Sequence, residues 1–320
     1  MAERKRQNKA VSALTAARLY YLQDKTMDVI AEELGTSRSS VSRLLSYARE
    51  VGLVDIRINS PLEHAGELEQ ELHDRLNVTT HVVPMPESVT EVERLERVAR
   101  TAGRLLTQMI DSTMTVGVAW GSTISAVSRE LGQKQTHGTT IVQLNGAGNT
   151  LTSGVEYSSD ILQRFGSAFT AQVQQFPVPA FFDDPLTREA MWRERSTRRV
   201  LDLQAKMDLA VFSLGSPTAE VPSRVYVGGY LGRADYQSLS ADRAIGDVAT
   251  VFFRADGTWK DIALNARATG PGLDRLRRVA RRVCVVAGVQ KLPPLRAAIA
   301  SKLVTDVVLD EGLARQLFES

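Results

Sequence analysis

The chain has a single cysteine, Cys284, in 320 residues. One thiol excludes a disulfide within the chain and any zinc site built on cysteines. It lies in the apolar run Val283-Cys284-Val285-Val286-Ala287, which reads as a buried strand rather than the setting of a nucleophile. Histidine is also scarce. There are four, His64, His73, His81 and His137, and none stands beside a glycine-rich strand end. No apolar run approaches the ~20 residues of a membrane span, and no signal peptide is evident, so the expected location is cytoplasmic. A large excess of one charge is missing too. The net charge is +2, so the whole molecule is not a basic coat for nucleic acid, and any DNA affinity must be local. The length suffices for two domains.

What is present begins with residues 26–45, TMDVIAEELGTSRSSVSRLL. They read as two short helices joined by a tight turn. Val29, Ile30 and Leu34 give the first helix an apolar face, and Ala31 is small where crossing helices come closest. Gly35 can take the positive φ of a sharp helix end. Ser37 is a good N-cap. Val41, Leu44 and Leu45 form one buried stripe of the second helix. Its other face carries Arg38, Ser39, Ser40, Ser42 and Arg43 after Thr36 and Ser37, with no carboxylate from Gly35 through Ala48. A recognition helix of a helix-turn-helix needs such a face to approach phosphates and donate to base edges. An ordinary helical hairpin with a solvated polar face is the plainer alternative. The predicted DNA-binding residues are thus Thr36, Ser37, Arg38, Ser39, Ser40, Ser42 and Arg43.

A helix over 9–22, with Val11, Leu14, Ala17, Leu19, Tyr20 and Leu22 available for packing, would complete a three-helix unit. The segment before it, MAERKRQNK, holds four basic side chains and one acid. It reads as a flexible basic arm for phosphates or as a solubilising terminus. A strand is expected over 53–58, and Asn59-Ser60-Pro61 marks the domain boundary. Leu62, Leu68, Leu72 and Leu76 suggest a helix, either a linker that pairs with another subunit or the outer helix of the next domain.

From residue 78 onward, β-rich runs alternate with helical patterns. Strands are expected at 81–84, 115–119, 139–144, 171–176, 209–214, 246–253, 282–287 and 304–309. Helices are expected at 91–110, 122–132, 155–168, 186–205, 272–279, 291–300 and 311–318. The alternation predicts a mainly parallel sheet covered on both faces. Asp256-Gly257 predicts a hairpin-type turn and an antiparallel pair after Gly246.

Open parallel sheets bind ligands at the carboxyl ends of their strands. Here those ends carry glycines and small polar residues. Gly121, Ser122 and Thr123 follow one strand and open a helix, where backbone N–H groups and the helix dipole favour an anion. Such a junction can equally be a plain N-cap. Asn145, Gly146 and Gly215 stand at other strand ends. Asp247 could accept hydrogen bonds from sugar hydroxyls, or could be a strand-end Asp in solvent. Lys291 follows Gly288-Val289-Gln290 and could neutralise an anionic ligand, or could be a surface lysine.

Taken in order, the stretches at 27–45, VGVAWGST (116–123), IVQLNGA (141–147), PAFFDDPLTREA (179–190), DLAVFSLGS (208–216), IGDVATVFFRADG (245–257) and 286–314 resemble the SorC family of bacterial transcriptional regulators. That family is grouped with DeoR-type sugar-responsive repressors. The resemblance covers nearly the whole chain. It implies an α/β protein: an N-terminal three-helix helix-turn-helix domain (1–60) and a C-terminal Rossmann-like α/β sugar-phosphate-binding and oligomerisation domain (61–320). It implies a homotetramer on operator DNA, with a phosphorylated sugar or related metabolite as inducer; no cofactor or metal is expected. The phosphate loop would be Gly121, Ser122 and Thr123. Asn145, Gly146 and Gly215 would line the pocket. Asp247 would hold sugar hydroxyls, and Lys291 or its neighbour Gln290 would take the place of the family's cationic phosphate ligand. Two positions depart from the family pattern. Val289 stands where a second glycine is usual after Gly288, and Leu214 where a smaller or β-branched residue is often found.

The leading expectation is therefore a repressor of a carbohydrate or polyol operon, gated by a sugar phosphate that weakens DNA binding. A sugar-phosphate isomerase or deaminase with an appended DNA-binding module is the alternative. A pure oligomerisation scaffold is a third.

Overall fold

The computed structural model describes residues 2–54, 64–86, 88–217 and 223–319. The chain forms two compact units, Met1–Leu62 and Glu63–Ser320.

In the first unit, α1 (Ala2–Tyr21), α2 (Met27–Glu33) and α3 (Arg38–Glu50) pack as a three-helix cluster. The helix begins at Ala2, so residues 2–9 are its opening turns and not a free arm. Its packing face matches the expected one in part. Ala17, Leu19 and Tyr20 pack as expected and Ala13 and Ala16 join them, whereas Val11, Leu14 and Leu22 are exposed. Three alanines let α1 approach α3 closely, with Ile30, Val41 and Leu45 filling the centre. Thr26 caps α2 through Val29 N, and Ser37 caps α3 through Ser40 N at 3.2 Å. Gly35, at φ +59, makes the turn between them. Leu53 and Val54 are not in a strand. Residues 55–58 of the expected strand and the 59–61 break lie outside the described residues.

The second unit opens with α4 (His64–Leu76), whose Leu68 and Leu72 are buried in the core. It is the outer helix of this unit, packed on β1 (Thr79–Val83). The chain continues through α5 (Glu91–Met109), β2 (Thr115–Val118), α6 (Ser122–Arg129), β3 (Thr140–Gln143), α7 (Val155–Phe169) and β4 (Gln172–Gln174). Next come α8 (Pro185–Arg193), α9 (Arg195–Gln204), β5 (Leu209–Phe212), β6 (Leu214–Gly215), α10 (Arg224–Val227) and α11 (Arg233–Ala241). It ends with β7 (Ala244–Val248), β8 (Val251–Arg254), α12 (Leu273–Leu276), β9 (Arg281–Val285), α13 (Leu292–Ala300), β10 (Asp306–Asp310) and α14 (Glu311–Phe318). Glu194, in an extended conformation, divides the expected 186–205 helix into α8 and α9.

Seven strands form a parallel sheet in the order β1-β10-β9-β5-β2-β3-β4. Alternate residues enter two separate cores. Val116, Val118, Leu209, Val211, Val283 and Val285 face one side, and Ala210, Phe212, Cys284 and Val286 face the other. Burial on both faces is what makes these strands read as continuous apolar runs. Each fully buried aliphatic or aromatic side chain contributes roughly 1.5–3 kcal/mol. From β2 the chain steps outward to β4, then returns to place β5 on the other side of β2. The crevice at the carboxyl ends of β2 and β5 is therefore the topological switch point, where such sheets take ligands.

A second, antiparallel sheet of β6, β7 and β8 begins one residue beyond β5. Leu214 belongs to this sheet and not to β5. The expected strand over 246–253 is two strands, reversed at Ala249 (φ 45) and Thr250 (φ 71). Positive φ at both central residues is the geometry of a two-residue hairpin. Neither residue is the Gly or Asn that would announce it, so the turn is strained. It is held by Thr250 N donating to Asp247 Oδ2 at 3.0 Å. The Asp256-Gly257 turn is real, with Arg254 N bonded to Thr258 O, but it follows the antiparallel pair and does not join it.

Candidate functional site

Within the first unit, Thr36, Ser37, Arg38, Ser39, Ser42 and Arg43 are exposed and Ser40 is half-buried. Arg43 Nε donates to Ser39 O at 3.2 Å, which lays its guanidinium along α3. Lys9, Ser12, Thr36, Ser40 and Arg43 line one surface depression together with Leu34, Gly35 and Leu44. The face is not wholly free of carboxylate. Asp28 of α2 lies 3.6 Å from Arg38 Nε, both side chains about 70% exposed. A pair so exposed contributes little and leaves Arg38 available to a phosphate.

In the second unit, a cleft opens at the switch point. Its walls come from the β2–α6 junction, the end of β3, the β5–β6 junction, the β7–β8 turn, α10 and Lys291. Gly121, at φ +142, stands before α6 in a conformation that L side chains rarely adopt, and a Cβ there would meet open space. The backbone at the start of α6 is thus accessible, and its free N–H groups suit an anion. Thr123 is buried beside it.

Across the cleft, Gly215 pairs with Asp247 between β6 and β7. Asp247 is buried, and burial pushes its carboxyl up to about 6, against the opposing effects of the Thr250 N–H and the Lys291 charge. Burial lowers the Lys291 ammonium, while Cys284 and Asp247 act in the opposite direction. Lys291 Nζ donates to Leu214 O at 2.8 Å and lies 3.5 Å from Ser213 Oγ. Burial, then the Asp247 charge, raises the Tyr226 phenol well above its ordinary range.

Among the described residues, two buried oxygens of this cleft have no donor at hydrogen-bond distance: Asn145 Oδ1 and Asp247 Oδ1. Leaving a buried acceptor unmade costs on the order of 1–3 kcal/mol, and the Tyr226 hydroxyl is the donor beside the Asp247 carboxylate. The cleft is narrow, with a volume of about 30 Å³.

Of the expected effector residues, Gly121, Ser122, Thr123, Asn145, Gly215, Asp247 and Lys291 meet here. Gly146 and Gln290 do not line the cleft. Gly146 is a packing glycine. Its N–H donates to Thr269 Oγ1, its carbonyl accepts from Trp120 Nε1, and a Cβ would strike Pro179 O at 2.2 Å. Val289 opens a short 3-10 turn that still delivers Lys291 to the cleft. Leu214 lines the cleft, and its carbonyl holds Lys291.

Sequence reasoning missed Arg224, Ser213 and Thr250, which also line the cleft. Arg224 lies 3.8 Å above the Tyr157 ring. Nothing periodic surrounds it in sequence, and α10 is a single turn. The nearby Trp120 and Tyr230 rings stack at 5.0 Å, and Tyr230 OH donates to Ala147 O.

A broader groove of about 510 Å³ lies beside residues 149–153 and 175–179. Its amide and hydroxyl groups are engaged locally. Asn149 Oδ1 accepts from Leu151 N and Thr152 N, and Asn149 Nδ2 donates to Gly228 O. It offers a ligand less than the narrow cleft does. Among the described residues, no group of three or more His, Cys, Asp or Glu could hold a metal ion, and no helix is long and apolar enough to cross a membrane.

Residues 60–319 match the family described as "Putative sugar-binding domain". The chain is 30% identical to the deoxyribonucleoside regulator of Bacillus subtilis over 95% of its own length and 96% of that protein. It is 23% identical to the sorbitol operon regulator of Klebsiella pneumoniae, over 95% of this chain and 96% of that one. Among solved structures, a domain described as that of "a possible sugar-binding transcriptional regulator" from Arthrobacter aurescens is 50% identical, with a TM-score of 0.75, covering 81% of this chain and 99% of that one. The full-length SorC structure from Klebsiella pneumoniae shares the fold, with a TM-score of 0.81 at 22% identity over 96% of this chain and 97% of that one. With the family matched across most of its length and the relatives spanning both units, this chain belongs to the SorC/DeoR-type family of sugar-binding transcriptional regulators.

Proposed function

We propose that this protein represses a carbohydrate or polyol catabolic operon and releases its operator when a phosphorylated sugar or polyol fills the cleft of the second unit. The first unit, taken as residues 1–60, is the DNA reader, and residues 61–320 are the effector-binding and oligomerising part. The observation that carries the effector reading is the pairing of unlike chemistries in one cleft. The α6 N-terminus and Arg224 favour a phosphate, while Asn145 Oδ1, without a donor among the described residues, calls for a hydroxyl group. The working species is a cytoplasmic homo-oligomer, dimer or tetramer, on duplex operator DNA. Two copies would present two recognition helices to successive major grooves. The effector acts only through its different affinity for the DNA-competent and released states.

Thermal-shift titration with pentose and hexose phosphates tests the reading. A true effector at about a hundred times its Kd should stabilise the protein by roughly 2–3 kcal/mol. No response across the panel would leave the second unit as a scaffold.

One observation favours an enzyme reading: a buried Asp247 with a pKa of about 6 could act as a base. None of His73, His81 and His137 lines the cleft to partner it. Turnover of a sugar phosphate at ordinary enzyme rates would establish that reading instead.

A further inference from the structure

Two glutamines stand behind the cleft rather than in it. Gln143, the last residue of β3, is 3% exposed, and Gln204, the last residue of α9, is 1% exposed. A buried amide is costly unless its groups are hydrogen-bonded. Gln143 uses both ends of its amide. Its Nε2 donates to Asn145 O at 2.7 Å, and its Oε1 accepts from Phe176 N at 2.9 Å. Gln204 Nε2 donates to Gln143 O at 2.7 Å and to Leu144 O at 3.0 Å. Both partners are carbonyls, so only the amide nitrogen can face them. Gln204 Oε1 is consequently left buried without a donor.

A half-satisfied buried amide is an exception that asks for a reason. Packing alone does not supply one, because a methionine fills similar space with no polar atom. The contacts themselves suggest it. Gln143 O, Leu144 O and Asn145 O are consecutive carbonyls at the exit of β3, and each accepts from a glutamine side chain. The residue so fixed, Asn145, lines the cleft with its Oδ1 buried and donorless.

We infer that Gln143 and Gln204 are positioning residues for effector selectivity: they clamp the end of β3 so that Asn145 Oδ1 stands ready to accept from a ligand hydroxyl. The inference rests on the effector reading above. A clamped acceptor loses no freedom when the ligand arrives, whereas a mobile strand end must first be ordered. The benefit falls on the hydroxylated part of the ligand and not on its phosphate, which the α6 N-terminus and Arg224 receive. Gln204 belongs to α9, so this helix shares in setting the shape of the cleft while contributing no residue to its wall.

Calorimetric titration of the full-length protein with inorganic phosphate, ribose 5-phosphate and glucose 6-phosphate tests this. The wild type should bind at least one ester more tightly than inorganic phosphate. In Gln204→Met, the Kd for phosphate should stay within about twofold, and that for the ester should rise by about fivefold to tenfold, the loss of roughly one net hydrogen bond. Asn145→Ala should show the same pattern, and the double variant should lose no more than either alone, because one residue acts through the other. If Gln204→Met does not fold, Gln143→Met takes its place in the cycle. An unchanged ester preference in the variant, equal weakening of phosphate and ester, or additive losses would overturn the positioning role while leaving the effector reading intact. A wild type that binds none of these compounds would overturn both.

Discussion

A methyl group placed on Gly215 would stand 1.8 Å from Asp247 Oδ1. The two residues pair across β6 and β7, so the carboxylate lies directly against the glycine backbone. The obstacle is a side-chain oxygen and not main chain, so the backbone need not move to relieve it. Gly215→Ala should therefore fold, keep operator binding and lose the effector response by displacing the Asp247 carboxylate. Thermal-shift titration with the sugar-phosphate panel reads the effect, alongside an operator-binding assay. A variant that responds like the wild type would show that the carboxylate position is unimportant.

Asp247 makes a pH signature. Its pKa is about 6 in the fold, raised by burial from an ordinary 3.8. The folded state thus holds this proton more tightly than the unfolded chain. Its stabilising contribution is complete below the unfolded value and is lost as pH rises through about 6. Asp247→Asn removes that loss. The variant should be more stable than the wild type at neutral pH by about 1–3 kcal/mol, and the advantage should shrink as pH falls toward 4 or so. Urea unfolding of both proteins over this range measures the difference. A difference that is independent of pH would contradict the assignment.

The inner strands β2, β3, β5, β9 and β10 were legible in the sequence because both of their faces are largely buried and they stand out as apolar runs between helical patterns, whereas the edge strands β1 and β4 are only partly buried. It did not disclose the hairpin at Ala249 and Thr250, because the residues that normally announce such a turn are absent. The break at Glu194 was hidden for a related reason, since Glu is an ordinary helix residue and only its extended backbone marks the division. Most of the cleft was legible because Gly121, Ser122 and Thr123 sit at a strand-to-helix junction whose chemistry is local. Arg224 and Gln204 were not, because each owes its place to contacts made far along the chain. Gly146 looked like a pocket residue, but its lack of a side chain serves packing against Pro179.

Arg224 is exposed and lies over Tyr157, so its removal should separate binding from folding. Arg224→Ala should change stability by no more than about 1 kcal/mol. It should weaken sugar-phosphate binding by about tenfold or more, the range of a charge-assisted hydrogen bond. Calorimetry against thermal unfolding distinguishes the two effects. Unaltered affinity would remove Arg224 from the site.

In the first unit, Arg43→Ala should weaken operator binding and leave the effector response intact. If Arg43 contacts a phosphate, the salt dependence of binding should lose about one unit of slope. If it reads a base, discrimination against a changed operator base should fall instead. Unchanged binding at moderate salt would show that the assigned face of α3 is not the reading face.

The most direct measurement is operator binding by the full-length protein, titrated with sugar phosphates, on the DNA upstream of its own gene. The account predicts that one such metabolite shifts half-saturation by about tenfold or more for the wild type. Thr123→Glu, with a carboxylate set against the phosphate position, should bind the same DNA and ignore the metabolite. Failure to protect any DNA sequence, or a full response from Thr123→Glu, would contradict it.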